Sequence, residues 1–219
     1  MTARRGFFLT LEGGEGSGKS TLAAELARRF EAQDRRVVVT EEPGGTPLGE
    51  QFWRYLRDPD SPPLSALAEL LLFEAARAQH VETVIRPALA DGVVVICDRF
   101  GDSSVAYQGF GRRLGRELVE TLNATATGGL KPGLTLLLDL PPEAGLTRAR
   151  SLEQGDVATK TRDAIGAEAL AFHQRVREGF LEIARNEPGR VLIIDASQPF
   201  PDVFEAAWDA VQTAIRRRP

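Results

Sequence analysis

The chain of 219 residues contains one cysteine, two histidines and no apolar run of membrane-spanning length, and each shortage removes a class of protein. A lone cysteine forbids an internal disulfide, and with two histidines it leaves too few ligands for a structural zinc site. A membrane helix needs about 20 consecutive apolar residues. The amino terminus, MTARRGFFLT, passes from two arginines into a short apolar stretch before Glu12, a pattern that fits neither a span nor a signal peptide. Positive charge is not in excess either. The formal net charge of -4 argues against a partner such as duplex nucleic acid, which calls for a clustered basic face. Hydrophobic residues at 42% and charged residues at 26% are ordinary for a chain that buries a core, and unlike a disordered one. The expectation is a reduced, soluble, cytoplasmic protein folded as a single domain over residues 1–219.

Five short apolar runs stand out: Phe7 to Leu11, Val37 to Thr40, Val93 to Cys97, Leu134 to Leu138 and Val191 to Ile194. None alternates polar with apolar residues, so they read as strands buried on both faces. Between them lie helical spacings: Leu22, Leu26 and Phe30; Leu67, Leu70, Leu71, Ala75 and Ala78; Phe172, Val176 and Phe180. Gly128 to Gly133 and Asp58 to Pro63 read as loops. Strand and helix alternate throughout. The fold class is therefore α/β, a three-layer arrangement with a five-stranded parallel sheet flanked by helices. In such sheets ligands sit outside the carboxyl ends of the strands, where this chain places Glu12 to Thr21, Glu41 to Thr46, Asp98 to Phe100, Asp139, and Asp195 to Pro199.

The first of these segments carries chemistry. Gly13, Gly18, Lys19 and Ser20 satisfy the spacing G-x4-G-K-S/T, which arises by chance in a chain of this length roughly once in a hundred. Its place between an apolar strand and an amphipathic helix makes chance a poorer account still. Polyphosphate is met by converging backbone N–H groups, and glycines let the backbone curl closely enough to aim them. Residues Gly13, Gly14, Glu15, Gly16, Ser17, Gly18, Lys19, Ser20 and Thr21 are therefore expected to bind a nucleoside triphosphate, with the helix amino terminus adding its positive dipole. Lys19 supplies a mobile charge to the terminal phosphates, and the Ser20 hydroxyl suits a magnesium ion bridging them.

A GTPase switch needs an N-K-x-D segment, and the chain has no Asn-Lys pair. Asp98-Arg-Phe-Gly101 matches the D-x-x-G pattern of such switches, but two fixed residues are easily matched. A mechanical ATPase needs more chain. A small phosphotransferase remains, and here the sequence resembles a known family, the thymidylate kinases, which transfer phosphate from ATP to dTMP. The resemblance is carried by GGEGSGKST, by EEPGGTPLGE from Glu41, by LLLFEAARAQHVETVIRPAL from Leu70, by DRFGDSSVAYQGFGR from Asp98, by LLLDLPPEAGLTRAR from Leu136 and by IDASQP from Ile194. The phosphate loop lacks Arg, as in the bacterial branch. The resemblance implies the strand order of nucleoside monophosphate kinases and a homodimer built through helices.

On a helix turning about 100° per residue, Leu67, Leu70, Leu71, Glu74, Ala75 and Ala78 cluster on one face, and Phe73 and Arg77 share a stripe beside it. An aromatic and a guanidinium one turn apart make a platform for a planar base, or else a core Phe beside a solvated Arg. The resemblance implies that Phe73 stacks on thymine and that Arg77 bonds its O4. It further implies that Arg99 binds the dTMP phosphate and that Asp98 holds magnesium or orients the attacking oxygen. Glu15 is placed near the transferred phosphate and the sugar. Ser104 is placed at the thymine edge, Tyr107 beneath the deoxyribose where a 2'-hydroxyl would collide, and Gln108 among the substrate-binding residues. Pro43 and the glycines after it shape the floor of the monophosphate site, and Glu42 keeps its family place among the substrate-binding residues. One departure stands out: the family's usual Arg-Glu-Pro is here Glu41-Glu42-Pro43.

A mobile lid is expected over residues 151–163. The family's Asp-Arg-Ile/Phe-Glu segment reads Asp163-Ala164-Ile165-Gly166 here, so the usual Arg is absent. Arg148, Arg150, Lys160 and Arg162 are candidates to replace it, Arg150 and Arg162 being the catalytic assignments. Cys97, His80 and His173 read as packing residues, and Arg216 to Arg218 as a solvated run. Two other readings stay open: another nucleoside monophosphate kinase, and a non-catalytic ATP-binding regulator.

Overall fold

The computed structural model describes residues 6–153 and 170–217. Five strands, β1 (Phe7–Glu12), β2 (Val37–Glu41), β3 (Val94–Asp98), β4 (Leu134–Asp139) and β5 (Val191–Asp195), form one parallel sheet in the order β2-β3-β1-β4-β5. The helices are α1 (Lys19–Glu31), α2 (Pro47–Arg57), α3 (Ala66–His80), α4 (Arg86–Ala90), α5 (Gly101–Ser104), α6 (Arg116–Thr127), α7 (Pro142–Glu153), α8 (Leu170–Asn186) and α9 (Phe200–Arg216). Two π-helical turns, Val81–Ile85 and Val105–Gly111, continue α3 and α5. The fold class read from the sequence stands.

Two apolar layers clamp the sheet. On one face Phe7, Leu9, Leu11, Val94, Ile96 and Leu136 pack against Leu22, Leu26 and Phe30 of α1 and against Val203, Ala207 and Trp208 of α9. On the other, Leu137 and Val191 meet Phe172, Val176 and Phe180 of α8, Leu70 of α3 and Val119 of α6. Every strand ends on a carboxylate, Glu12, Glu41, Asp98, Asp139 or Asp195, and register aligns Glu41 with Asp98 and Asp139 with Asp195.

Two expectations need correction. The apolar runs are buried on both faces only in the central strands; at the sheet edges Val39 of β2 and Ile193 of β5 are 49% and 50% exposed. An edge strand has one neighbour and so loses cover that hydropathy alone does not report. On α3 only part of the face read from the sequence, Leu70 and Glu74, is buried. Leu67 and Leu71 are 46% and 48% exposed, whereas Glu69, Leu70, Glu74, Arg77 and His80 are buried. These polar residues can be buried because they bond one another and partners across the cleft.

Beyond its first residues, which complete α7, the expected lid lies outside the described residues. So do Lys160, Arg162 and Asp163 to Gly166.

Candidate active site

Strand β1 delivers the chain into a loop whose turns require glycine. Gly16 has φ +64°, and a Cβ there would run into the carbonyl oxygen of Gly145; Gly18, at φ 90°, opens α1. The Lys19 ammonium donates to the carbonyls of Gly13 (3.2 Å) and Gly14 (2.8 Å) and to Ser17 Oγ (3.3 Å). Burial, followed by the neighbouring Arg99 charge, lowers its pKa to about 8. Ser20 Oγ donates to Asp98 Oδ2 at 2.6 Å. A hydroxyl and a carboxylate this close, beside a phosphate loop, offer the hard oxygen donors that magnesium takes.

The end of β3 turns sharply. Arg99 sits at φ 70°, held there by its own N–H bonded to Leu11 O (2.9 Å) and by Glu12, which accepts from Phe100 N (2.8 Å) and Ser103 Oγ (2.6 Å). Burial first, and then Asp102, push the Glu12 carboxyl up to about 8. The Arg99 guanidinium donates to Gly13 O (3.1 Å), Ser103 Oγ (3.3 Å) and Glu15 Oε1 (3.1 Å). With three such bonds, Arg99 keeps N–H capacity for anionic oxygen.

Arg77 differs. Only 1% exposed, it reaches Glu42 Oε2 through Nε (2.8 Å), Glu74 Oε1 (2.7 Å) and Asn123 Oδ1 (2.6 Å) through Nη1, and Phe100 O (3.3 Å) and Ser104 Oγ (3.0 Å) through Nη2. Five acceptors thus surround five N–H groups. Glu42 is fixed from its other side by His80, whose Nδ1 is 2.9 Å from Glu42 Oε1 and whose Nε2 is 2.7 Å from Thr40 Oγ1.

Lys19, Ser20, Asp98, Arg99, Arg77 and Glu42 all line a cleft of about 440 Å³ whose wall also includes Phe73. Of the residues singled out in the sequence, the cleft brings together Glu15 to Thr21, Glu42, Pro43, Phe73, Arg77, Asp98, Arg99, Ser104, Tyr107 and Gln108. Gly13 and Gly14 instead line a smaller cavity behind the loop, with His173 and Arg177. Arg150 is exposed near the end of α7, one residue beyond Ala149, which does line the cleft. Arg148 is tied to Ala196 O (2.9 Å) and holds α7 to the loop after β5. Arg162 lies outside the described residues.

The family model described as thymidylate kinase matches residues 11–207. The chain belongs to the thymidylate kinase family. It is 48% identical to the thymidylate kinase of Trichlorobacter lovleyi over 209 residues, covering 95% of this chain and 98% of that one. It is 50% identical to that of Desulfovibrio desulfuricans over 213 residues (96% and 97% covered), and 47% identical to that of Deinococcus radiodurans over 207 residues (94% and 97%). The crystal structure of thymidylate kinase from Ehrlichia chaffeensis superposes with a TM-score of 0.75 at 31% identity, covering 95% of this chain and 99% of that one. The chain is a thymidylate kinase by family, a phosphotransferase that phosphorylates dTMP. Neither open alternative, another nucleoside monophosphate kinase or a silent regulator, is favoured by these likenesses.

Against the family pattern, Glu41 replaces the usual Arg and projects beside Asp98; burial, then Asp98 and Glu50, raise its carboxyl pKa. Sequence reading missed Glu12, Trp53, Glu69, Glu74 and Asn123, and took His80 for a packing residue. The signal available for Glu12 was a polar residue closing an apolar strand. For Glu69 and Glu74 it was their helical spacing to Arg77. The packing reading of Cys97 agrees with its full burial, which pushes its thiol well above the ordinary range.

Proposed function

We propose that ATP, bound with magnesium on the loop Gly13 to Thr21, donates its terminal phosphoryl to dTMP held in the same cleft between Arg99 and Phe73. The observation that carries this reading is the continuity of the cleft, whose wall includes Lys19 at one end and Phe73 and Gln108 at the other. An oxygen of the dTMP phosphate attacks the γ-phosphorus, the bond from that phosphorus to the ADP oxygen breaks, and the attacking oxygen is already ionised, so no general base is required. Lys19 neutralises charge on the phosphates that separate. Arg99 holds the acceptor phosphate through its remaining N–H groups, with Glu15 fixing the guanidinium at 3.1 Å. Ser20 and Asp98 would hold magnesium, which when bound screens the β- and γ-phosphate charge.

Phe73 supports the thymine ring, and its edge-to-face contact with Phe52 (centroids 4.9 Å, 83°) sets its plane. Arg77 reaches thymine O4 by exchanging its longest bond, that to Phe100 O, for the base carbonyl. Glu42 and Pro43 form the floor beneath. Arg150 and Arg162 supply positive charge at the transferring phosphoryl in place of the missing lid Arg; Arg150's position beside Ala149 supports its part in this. A homodimer accounts for the exposed leucines Leu48 of α2, Leu67, Leu71 and Leu72 of α3, and Leu118 of α6. The protein acts in the cytoplasm as one domain. Among the described residues no helix is long and apolar enough to cross a membrane.

A coupled ADP-release assay with dTMP, dUMP, dCMP, dAMP and dGMP tests the reading. dTMP is expected to exceed dUMP by roughly 10 to 200-fold, the value of one methyl in a pocket. Comparable efficiency with every base would overturn the assignment of the cleft. In the same assay, Arg150→Ala and Arg162→Ala are expected to lower kcat far more than they raise the KM for dTMP.

A further inference from the structure

Gln108 lines the cleft from the π-helical turn Val105–Gly111, yet only 2% of it is exposed. Its Nε2 donates to Glu69 Oε1 at 2.7 Å. Glu69, in the first turn of α3, is 5% exposed and also accepts from Arg112, at 3.0 Å from Nη2 to Oε2 and 3.3 Å from Nε to Oε1. A carboxylate paired with a guanidinium has only acceptors to offer. The amide nitrogen of Gln108 must therefore face Glu69, and the carbonyl oxygen is what remains for the cleft. A primary amide not tied in this way turns over readily, because its oxygen and nitrogen are nearly the same size.

We propose that Glu69 is a specificity-positioning residue, which locks Gln108 with its carbonyl toward the nucleobase. The cleft then selects bases that present a ring N–H donor, the imide of thymine and uracil, and rejects cytosine, whose corresponding nitrogen is an acceptor. This rests on the reading that the base of dTMP lies between Phe73 and Gln108. Glu69 touches no substrate; it acts through the orientation of one amide. Arg112 has a part in the device, since it holds both oxygens of Glu69, Oε1 together with Gln108 and Oε2 by itself.

Glu69→Leu separates this role from a structural one. With both carboxylate oxygens gone nothing holds the Gln108 amide nitrogen away from the base, and the amide can turn to present oxygen or nitrogen to either base. The ratio of kcat/KM for dTMP over dCMP is expected to fall at least about tenfold, the value of one buried hydrogen bond turned from match to mismatch. The ratio for dTMP over dUMP stays unchanged, because both carry the imide. In a Gln108→Leu background the same substitution should no longer alter the dTMP/dCMP ratio. An unchanged ratio in folded Glu69→Leu, or an equal change in both backgrounds, overturns the proposal. Failure of the wild-type protein to turn over dTMP would instead sink the underlying reading of the cleft. Neutron diffraction of the wild-type protein with dTMP requires no variant to fold. Deuterons of the Gln108 amide directed at Glu69 are expected, and deuterons directed at the base refute the lock.

Discussion

The Tyr107 hydroxyl donates to Glu15 Oε1 at 2.6 Å, onto the same oxygen that receives Arg99 Nη2 at 3.1 Å. The Arg99 guanidinium lies over the Tyr107 ring, 5.0 Å from its centroid, so the three side chains close on one another. They come from the phosphate loop, the end of β3 and a π-helical turn, and they tie these three elements together within the cleft. Burial alone would raise the Glu15 carboxyl, but Arg99, Lys19 and the Tyr107 hydroxyl overcome it and hold the pKa at about 2. Burial pushes the Tyr107 phenol well above its usual value. The pair therefore stays carboxylate and phenol at any pH near neutrality.

Tyr107→Phe and Tyr107→Ala should come apart. Both lose the bond to Glu15 and are expected to lower turnover with dTMP. Only the Ala variant removes the ring, so only it should admit the ribonucleotide counterpart of dTMP. The check is the ratio of kcat/KM for the deoxy and ribo substrates; equal discrimination in all three proteins would contradict a steric role.

Lys19→Ala is expected to lower kcat at least ~100-fold with little change in the KM for dTMP. In the wild-type protein the protonated ammonium is the form that attracts polyphosphate, and its pKa is about 8 before ATP arrives. ATP affinity measured by calorimetry should thus weaken as pH rises from 7 to 9. A flat profile would remove Lys19 from the phosphate site.

Glu12→Gln tests a titration rather than an activity. The folded pKa of Glu12, about 8, stands above the ordinary value of 4.5. The folded state therefore holds a proton that the unfolded state releases. Stability from this source is complete below pH 4.5 and is lost as pH rises through about 8, at up to about 1.4 kcal/mol per pH unit. The amide oxygen accepts from Phe100 N, the amide nitrogen donates to Ser103 Oγ, and the group does not titrate, so the melting temperature of Glu12→Gln should gain on wild type between pH 5 and pH 9. Parallel melting curves at all pH values would refute this.

Arg77→Met leaves Glu42 and Glu74 buried without their cation. Removal of one partner from a buried ion pair costs about 3 to 5 kcal/mol, and here two carboxylates are orphaned. Urea unfolding should show a loss of this size, larger than that of Phe73→Leu, which leaves no charge behind. A loss below about 1 kcal/mol would mean that the Arg77 cluster is not a stabilising element.

The sheet was legible because its strands are apolar runs closed by carboxylates, and each run predicted a strand to within a residue or two. The phosphate loop was legible because its glycines have a backbone reason at fixed spacing. The α3 face was legible only in part: Leu70 and Glu74 are buried, but Leu67 and Leu71 look like core residues and are exposed, while the buried side also carries Glu69, Arg77 and His80. Hydropathy orders residues by transfer to oil, and these polar groups are transferred to one another. The roles of Glu12, Glu69 and His80 depend on partners from 91 down to 38 residues away in sequence, which local patterns do not encode. The Val105–Gly111 turn, which aims Tyr107 and Gln108, has no sequence signal of its own.

The carboxylates that end all five strands bear on how fast nucleotides arrive. Both substrates are anions, the chain carries a formal charge of -4, and the cations that line the cleft are recessed, Lys19 at 8% exposure. At a distance, an approaching nucleotide meets repulsion; attraction begins only inside the cleft. Added salt screens the distant field first, over a Debye length of about 8 Å at physiological ionic strength. Association rates of ATP and dTMP, followed by stopped flow, should hold steady or rise as salt increases from low concentration, opposite to the slowing seen where a basic funnel steers its ligand.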